Sequence, residues 1–480
     1  MKKVLGVFLV IAMISGVFLT GCKSGDETAS ENGEVTLKLW NRVNGAETYL
    51  TKLIESFEEE NPNINVELQN LSVESAQPQY QAAISNNELP DMFVRPPTTT
   101  VTQLVEIDRL KSLDSLFPQE VVDEYVEGVF YKGSNITAEG KIYAFPLSSG
   151  LHGTTMLYYN KDVLDDLDVE VDFPMTWDDL LEVGKEIHEK SDGKIYGMVL
   201  GAKSAWLNSS FISQMAFPIS PDSGMDYATG NFNFATEGNI ETIQFFKELL
   251  DNNVISPQSL ESTSASAQAL FASGQSAFII NGNWLGGILQ EQFQFENWGV
   301  ARLPTKETGT VAMRPYGGGA TESIMVAKNT KHWEEVKAFL TYLREHIYDE
   351  IDKSGSLASA KIAEDGEVGF PQYKDIQQIM NDTNILVPNP ENRNPAVEEV
   401  ALKYQELTPR TSTGDIFLGY LAGQVKDLEG TLQKLSDDAN KALEKAIKSN
   451  DKVTKEDYIF SNWDPNQSYT EEDYEELKKK

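Results

Sequence analysis

The stretch from Gly140 to Ile187 constrains this chain more than any other: GKIYAFPLSSGLHGTTMLYYNKDVLDDLDVEVDFPMTWDDLLEVGKEI. A run through Ile142, Ala144 and Pro146 and a second through Met156, Tyr158 and Asn160 each repeat with period two, which predicts two short strands. A Gly-rich connection separates them, so one strand is expected to leave a first lobe and the other to begin a second. Asn160 or Asp162 is placed to cap a short helix. After Phe173-Pro174, Thr176 stands three residues before Asp179, a carboxylate variant of the capping box, and Leu180, Val183, Gly184 and Ile187 share one helical face.

The pieces GKIYAFP, LYYNKDVL, a proline and TWDDLLE, in this order and spacing, resemble the central signature of the extracellular solute-binding proteins of family 1, the class that includes maltodextrin-binding protein. The likeness runs from about Val35 to about Ile447. It implies an α/β, two-lobe, periplasmic-binding-protein-like fold with three hinge crossings and a cleft between the lobes. Lobe one is expected over 34–145 plus 312–368, and lobe two over 146–311 plus 369–480.

The rest of the chain reads in keeping with that order. Val35, Leu37 and Leu39 alternate as a first strand. Leu50, Leu53, Ile54 and Phe57 mark a helix that stops at Asn61-Pro62, and Ile64, Val66 and Leu68 give the next strand. This βαβ unit predicts a parallel sheet. LPDMFV is a short strand that empties into Arg95. GQSAFIINGNWLGG reads as a buried strand Ala277 to Ile280, a turn at Asn281-Gly282 and a helix beginning at Asn283. A second crossing is expected near Thr310 to Pro315, a return strand at Ser323 to Val326, and a third crossing near Gly366 to Pro371. Leu428, Leu432, Leu435, Ala439, Ala442 and Leu443 form one face of the last long helix.

The N-terminus carries Lys2 and Lys3, an apolar run from Val4 to Phe18, and then Leu19-Thr20-Gly21-Cys22. That is the layout of a secretory signal peptide over 1–21, and its ending resembles a bacterial lipobox. Cys22 is the single cysteine of the chain, so it has no disulfide partner and is read as the lipidation site. Residues 23–33 hold nothing more apolar than Ala, and 22–33 read as a flexible tether. The expected location is the outer face of a cell membrane. A formal net charge of −34 repels nucleic acid, and solubility accounts for it.

The resemblance implies a binding lipoprotein of an ATP-driven (ABC) importer, which captures a carbohydrate, expected to be an oligosaccharide, and delivers it to the permease as a monomer. Sugar recognition needs aromatic faces for the apolar side of a pyranose and fixed polar groups for its hydroxyls. The candidates are Trp284 after the Asn-Gly turn and Trp206 after YGMVLGAKS, with Asn41, Arg42 and Asn44 after the first strand. Arg95, Tyr316 and Arg393 complete the set, and His152 lies beside the first crossing. The glycines Gly317 to Gly319 are assigned to the hinge, and Trp40 to packing.

No catalytic role, cofactor or metal is expected: the chain has no Walker A, HExxH or Gly-x-Ser-x-Gly motif. The spacing from Asp464 mimics a calcium loop, but Tyr469 occupies the position that wants Gly, and a helix capped at Thr470 is the better account. Two other readings stay open: the same fold holding a peptide, polyamine or anion, and a surface polysaccharide-degrading enzyme.

Overall fold

The computed structural model describes residues 34–43, 46–71, 73–96, 99–131, 134–361 and 369–479. The expected leader, Cys22, the tether and Asn44 lie outside the described residues. The strands that position the site are, in chain order, β1 (Val35–Asn41), β2 (Ile64–Asn70), β3 (Met92–Val94), β4 (Ala144–Pro146), β5 (Thr155–Asn160) and β6 (Tyr196–Val199). They continue with β7 (Ser276–Gly282), β8 (Trp298–Ala301), β9 (Arg314–Tyr316), β10 (Ser323–Val326) and β11 (Asn384–Leu386).

The first sheet has the order β2-β1-β3-β10-β4. β1 runs parallel to β2 and β3, as the βαβ pattern requires, whereas β10 runs antiparallel to both β3 and β4. Its core joins Leu37, Phe93 and Phe145 to Ile324, Phe339 and Ile351, which come from beyond residue 320 of the chain. Each such side chain contributes about 1.5–3 kcal/mol on burial. The second sheet has the order β8-β5-β7-β6 and its own core of Leu157, Trp177, Phe211, Phe246 and Phe278.

Strand direction decides which sheet edges meet. The carboxyl ends of β1, β3 and β4 and the start of β10 share one edge of the first sheet. The carboxyl ends of β6, β7 and β8 and the start of β5 share one edge of the second. The chain passes from the end of β4 to the start of β5, and from the end of β8 to the start of β10, so both connections join these two edges. Loops at the carboxyl ends of parallel strands therefore face each other across the hinge, which is where open α/β sheets hold ligands.

The local signals act as read. Thr176 Oγ1 accepts from the Asp179 N–H (3.2 Å), and the Asp179 carboxylate accepts from the Thr176 N–H (2.7 Å), starting the helix Trp177–Lys190. Asn160, rather than Asp162, caps the helix Lys161–Asp166, its Oδ1 accepting from Val163 N–H at 3.1 Å. Thr470 caps the helix Glu471–Leu477 through a box with Asp473, and Asp464 accepts from the Asn466 backbone, so these side chains serve their own turns.

Two expectations change. Asn281 and Gly282 are not a turn: they continue β7, paired to Met156 and Thr155, and the helix begins later, at Leu285, with Trp284 at its cap. The second crossing contains a strand, β9, which pairs in parallel with β11. Part of the hinge is thus a two-stranded ribbon built from residues about seventy positions apart in sequence.

Candidate functional site

Trp284 stands two residues past β7 and Trp206 seven past β6, so adjacent parallel strands deliver both indoles to the same edge. Their ring centroids are 5.4 Å apart with planes tilted by 40°. His152, from the β4–β5 connection, joins them 5.6 Å from Trp284. Trp206 is 58% exposed, unusual for so large an apolar side chain, and offers an open aromatic face. The Trp284 platform is set by a compact turn in which the Tyr158 hydroxyl donates to the carbonyls of Gly282 (3.0 Å) and Asn283 (3.3 Å).

His152 is held neutral, its pKa pushed down to about 4 by burial and then by the nearby Arg314 guanidinium. Arg314 Nη1 donates to the Gly150 carbonyl and to Asn384 Oδ1, both at 2.9 Å, and its Nη2 to the His152 carbonyl at 3.2 Å. One side chain thereby ties the first crossing, β9 and β11 together. Burial lowers its pKa to about 10, which leaves it charged at neutral pH.

The facing edge of the first lobe is polar. Arg42 Nε donates to the Arg95 carbonyl (2.5 Å) and its Nη2 pairs with Glu322 (2.8 Å). Arg95 Nη2 donates to the Thr321 carbonyl (3.3 Å), while its Nε is buried with no hydrogen-bond partner among the described residues. Burial raises the Glu322 pKa against the opposing pull of Arg42 and Arg95, and burial lowers that of Arg95. Glu322 was not foreseen. The signal was available, since it immediately precedes the return strand at Ser323 and so had to enter the same edge.

Other expected ligand contacts find different work. Asn41 is 2% exposed, donates to Asn70 Oδ1 (2.7 Å) and accepts from the Val43 N–H (2.9 Å), so its side chain is consumed by the turn. Arg393 donates to the carbonyls of Glu456 and Ile459 and lies over the Phe460 ring at 5.7 Å, which makes it a brace for the C-terminal segment. Tyr316 is partly buried, and its ring closes on the backbone of Gly150. Trp40 packs edge-on against Tyr80 at 5.5 Å. Gly318 and Gly319 adopt φ of 80° and 78°, and the Gly319 N–H donates to the Gly128 carbonyl (2.9 Å), a backbone that favours glycine beside the ribbon.

Two adjoining cavities open between the lobes. The larger, of about 630 Å³, lies between the helix Val101–Glu106 with the segment 137–140 on one side and residues 391–402 on the other. The smaller, of about 370 Å³, adds Arg95, Asn135 and Gln405. Among the described residues no group of three or more His, Cys, Asp or Glu is close enough to hold a metal ion.

Residues 43–348 match the family described as bacterial extracellular solute-binding protein. The chain belongs to that family. This solute-binding protein is similar to the arabinooligosaccharide-binding protein of Bacillus subtilis (strain 168), 23% identical over 361 residues, which is 72% of this chain and 77% of the relative. It is similar to the multiple sugar-binding protein of Streptococcus mutans, 24% identical over 352 residues, 71% of this chain and 78% of the relative. Among solved structures it resembles the maltose/maltodextrin-binding domain MalE from Bdellovibrio bacteriovorus bound to maltotriose: TM-score 0.61, 22% identity, 86% of this chain and all of the other. That likeness establishes the two-lobed fold.

Proposed function

We infer that this solute-binding protein captures a carbohydrate, an oligosaccharide in particular, between its lobes and presents it to the membrane subunits of an ABC importer. The observation that carries this is the aromatic pair of exposed Trp206 and half-buried Trp284 at the carboxyl edge of the second sheet, opposite the polar edge that bears Arg42, Arg95 and Glu322. Aromatic faces on one wall and hydrogen-bonding groups on the other are the two halves of pyranose recognition. The printed names of the relatives, for arabinooligosaccharides and for multiple sugars, point the same way.

The ligand contacts are assigned to Trp206 and Trp284 from lobe two and to Arg42 and Arg95 from lobe one, with Tyr316 beside the hinge. The lobes are taken as 34–145 plus 312–368 and 146–311 plus 369–480. A ligand that touches both lobes binds the closed form better than the open one, and its differential affinity shifts the population towards closure. Cys22 is proposed to carry the lipid that holds the protein on the outer face of the membrane, with no catalysis at the site. Secretion of Cys22→Ala into the medium, with wild type retained on cells, tests the anchor.

The test of the main reading is a thermal-shift screen of the protein against neutral oligosaccharides, amino acids, peptides and polyamines. A sugar that raises Tm with dose in wild type, and not in Trp284→Ala, is the expected result. Shifts with peptides or polyamines and none with any sugar would overturn the carbohydrate assignment and leave the fold standing.

A further inference from the structure

The walls of the larger interlobe cavity are predominantly acidic. Glu106 and Glu139 project from the first lobe, Glu391, Glu398 and Glu399 from the other wall, and Lys452 is the one cation among the lining residues. The smaller cavity shares Glu391 and Glu398 and adds Arg95, itself close to Glu322. Five acidic side chains thus face two cations across the pair of cavities. Closing the lobes brings like charges together from opposite walls, which costs free energy unless something positive lies between them.

Glu391 is the group that needs a partner. It follows Asn389-Pro390, and its backbone N–H donates to Asn389 Oδ1 (2.9 Å), the cap that fixes the single turn Pro390–Arg393. Arg393, pinned to the Glu456 and Ile459 carbonyls, holds that turn from behind. The Glu391 carboxylate itself lines both cavities and has no hydrogen-bond or ion-pair partner among the described residues. Burial and then Glu398 push its pKa up to about 8, so it holds a proton at neutral pH that an adjacent cation would favour releasing. The ionisable groups around it are Glu398, Tyr458 behind the turn, Arg95, Glu106 and Glu139 across the cavities, and Glu399 and Lys452 along the same wall. The acids are spread along the walls rather than gathered as metal ligands, which suits an organic ammonium group.

We propose that this acidic groove is a subsite for an ammonium group, that of an amino-sugar residue with a free amine within the captured oligosaccharide, seated on Glu391 and Glu398. The proposal rests on the carbohydrate reading above and adds the chemical class of the sugar. Thr99 and Thr102 on the facing wall supply neutral hydrogen-bonding groups that hydroxyls need, beside Thr100 and Gln103, whose side-chain oxygens cap the helix. A neutral sugar leaves the opposed carboxylates uncompensated, so the amine decides preference within one sugar skeleton. A free polyamine shares the ammonium chemistry and is the other source.

The experiment is calorimetric titration of the whole mature protein with glucosamine tetramer, its N-acetylated counterpart, neutral xylo-oligosaccharides and spermidine. Glucosamine tetramer is expected to bind about tenfold or more tightly than the acetylated form, and the ratio to collapse in Glu391→Gln and in Glu398→Gln. Circular dichroism melts confirm that each variant folds. Equal affinity for the two tetramers, a ratio that survives both substitutions, or no binding of the glucosamine tetramer overturns the inference. If neutral sugars still bind in that case, carbohydrate capture stands without it. Binding of spermidine with no sugar of any kind overturns both.

Discussion

The outer edge of the Trp284 indole lies against Gly282: a Cβ on that glycine would fall 2.0 Å from the ring, far inside van der Waals contact. The last residue of β7 therefore sets where the aromatic platform can stand. Gly282→Ala should displace the ring and weaken ligand binding about as much as Trp284→Ala does. Tryptophan fluorescence and the ligand-induced shift in Tm check this; a full thermal response in Gly282→Ala would show that the platform does not depend on that contact.

Trp206 is exposed and sits in the first turn of the helix Ala205–Ala216, so truncation should leave stability within about 0.5 kcal/mol of wild type. Its ring is the outer half of the aromatic pair, and Trp206→Ala should lower sugar affinity about 3- to 10-fold. Trp206→Phe should recover part of the loss. Isothermal titration with any oligosaccharide that binds wild type separates the two effects, and a stability loss without an affinity loss would place Trp206 in packing.

The Arg42–Glu322 pair is mostly buried, with side chains 16% exposed on each side. Removing one partner leaves the other charge in a poorly solvated place, so Glu322→Ala should cost roughly 1–3 kcal/mol, and Arg42→Ala a similar amount. In a double-mutant cycle by urea unfolding, the pair should be less damaging together than the sum of the singles. Additive losses would mean that the ion pair contributes nothing beyond packing.

Stability should fall as pH rises through neutrality. Asp352, whose Oδ1 accepts from the Tyr373 hydroxyl at 3.0 Å while its Oδ2 is buried with no partner among the described residues, has its pKa pushed up to about 7 by burial. Glu391 is pushed up to about 8. In the unfolded chain both release their protons near the ordinary carboxylate values, so between those values and about 7 to 8 the folded form holds more protons and loses stability with each step up in pH. Asp352→Asn keeps the acceptor for Tyr373 and removes the titration. Its Tm should exceed that of wild type at pH 8 and approach it at pH 5. A difference that does not change with pH would show that Asp352 stays ionised.

Arg393→Ala should act on stability before binding. Its guanidinium joins the turn Pro390–Arg393 to the segment 456–460, so the C-terminal residues, including the helix Glu471–Leu477, should become more open to proteolysis in the variant. Limited proteolysis followed by mass spectrometry reads this directly. A wild-type cleavage pattern with lost ligand affinity would return Arg393 to the ligand.

What the sequence by itself determined is the backbone state and the order of the elements. The capping box at Thr176 and Asp179, the βαβ unit from Val35 to Leu68 and the strand Ser323–Val326 were all legible, because their causes lie within a few residues of each other or in a simple period. The family signature supplied the two-lobed plan, and with it the expectation that Trp206 and Trp284 share one edge. Which polar groups remain available there was decided only by the tertiary structure. Asn41 is consumed by Asn70 and Arg393 by carbonyls more than 60 residues later, whereas Arg42 is oriented by a carboxylate 280 residues away and keeps further N–H donors. The acidic groove likewise needs Glu106 and Glu139 to meet Glu391 and Glu398. A local pattern encodes a helix because its hydrogen bonds are local, whereas the freedom of a charged side chain depends on the distant group that folding places beside it.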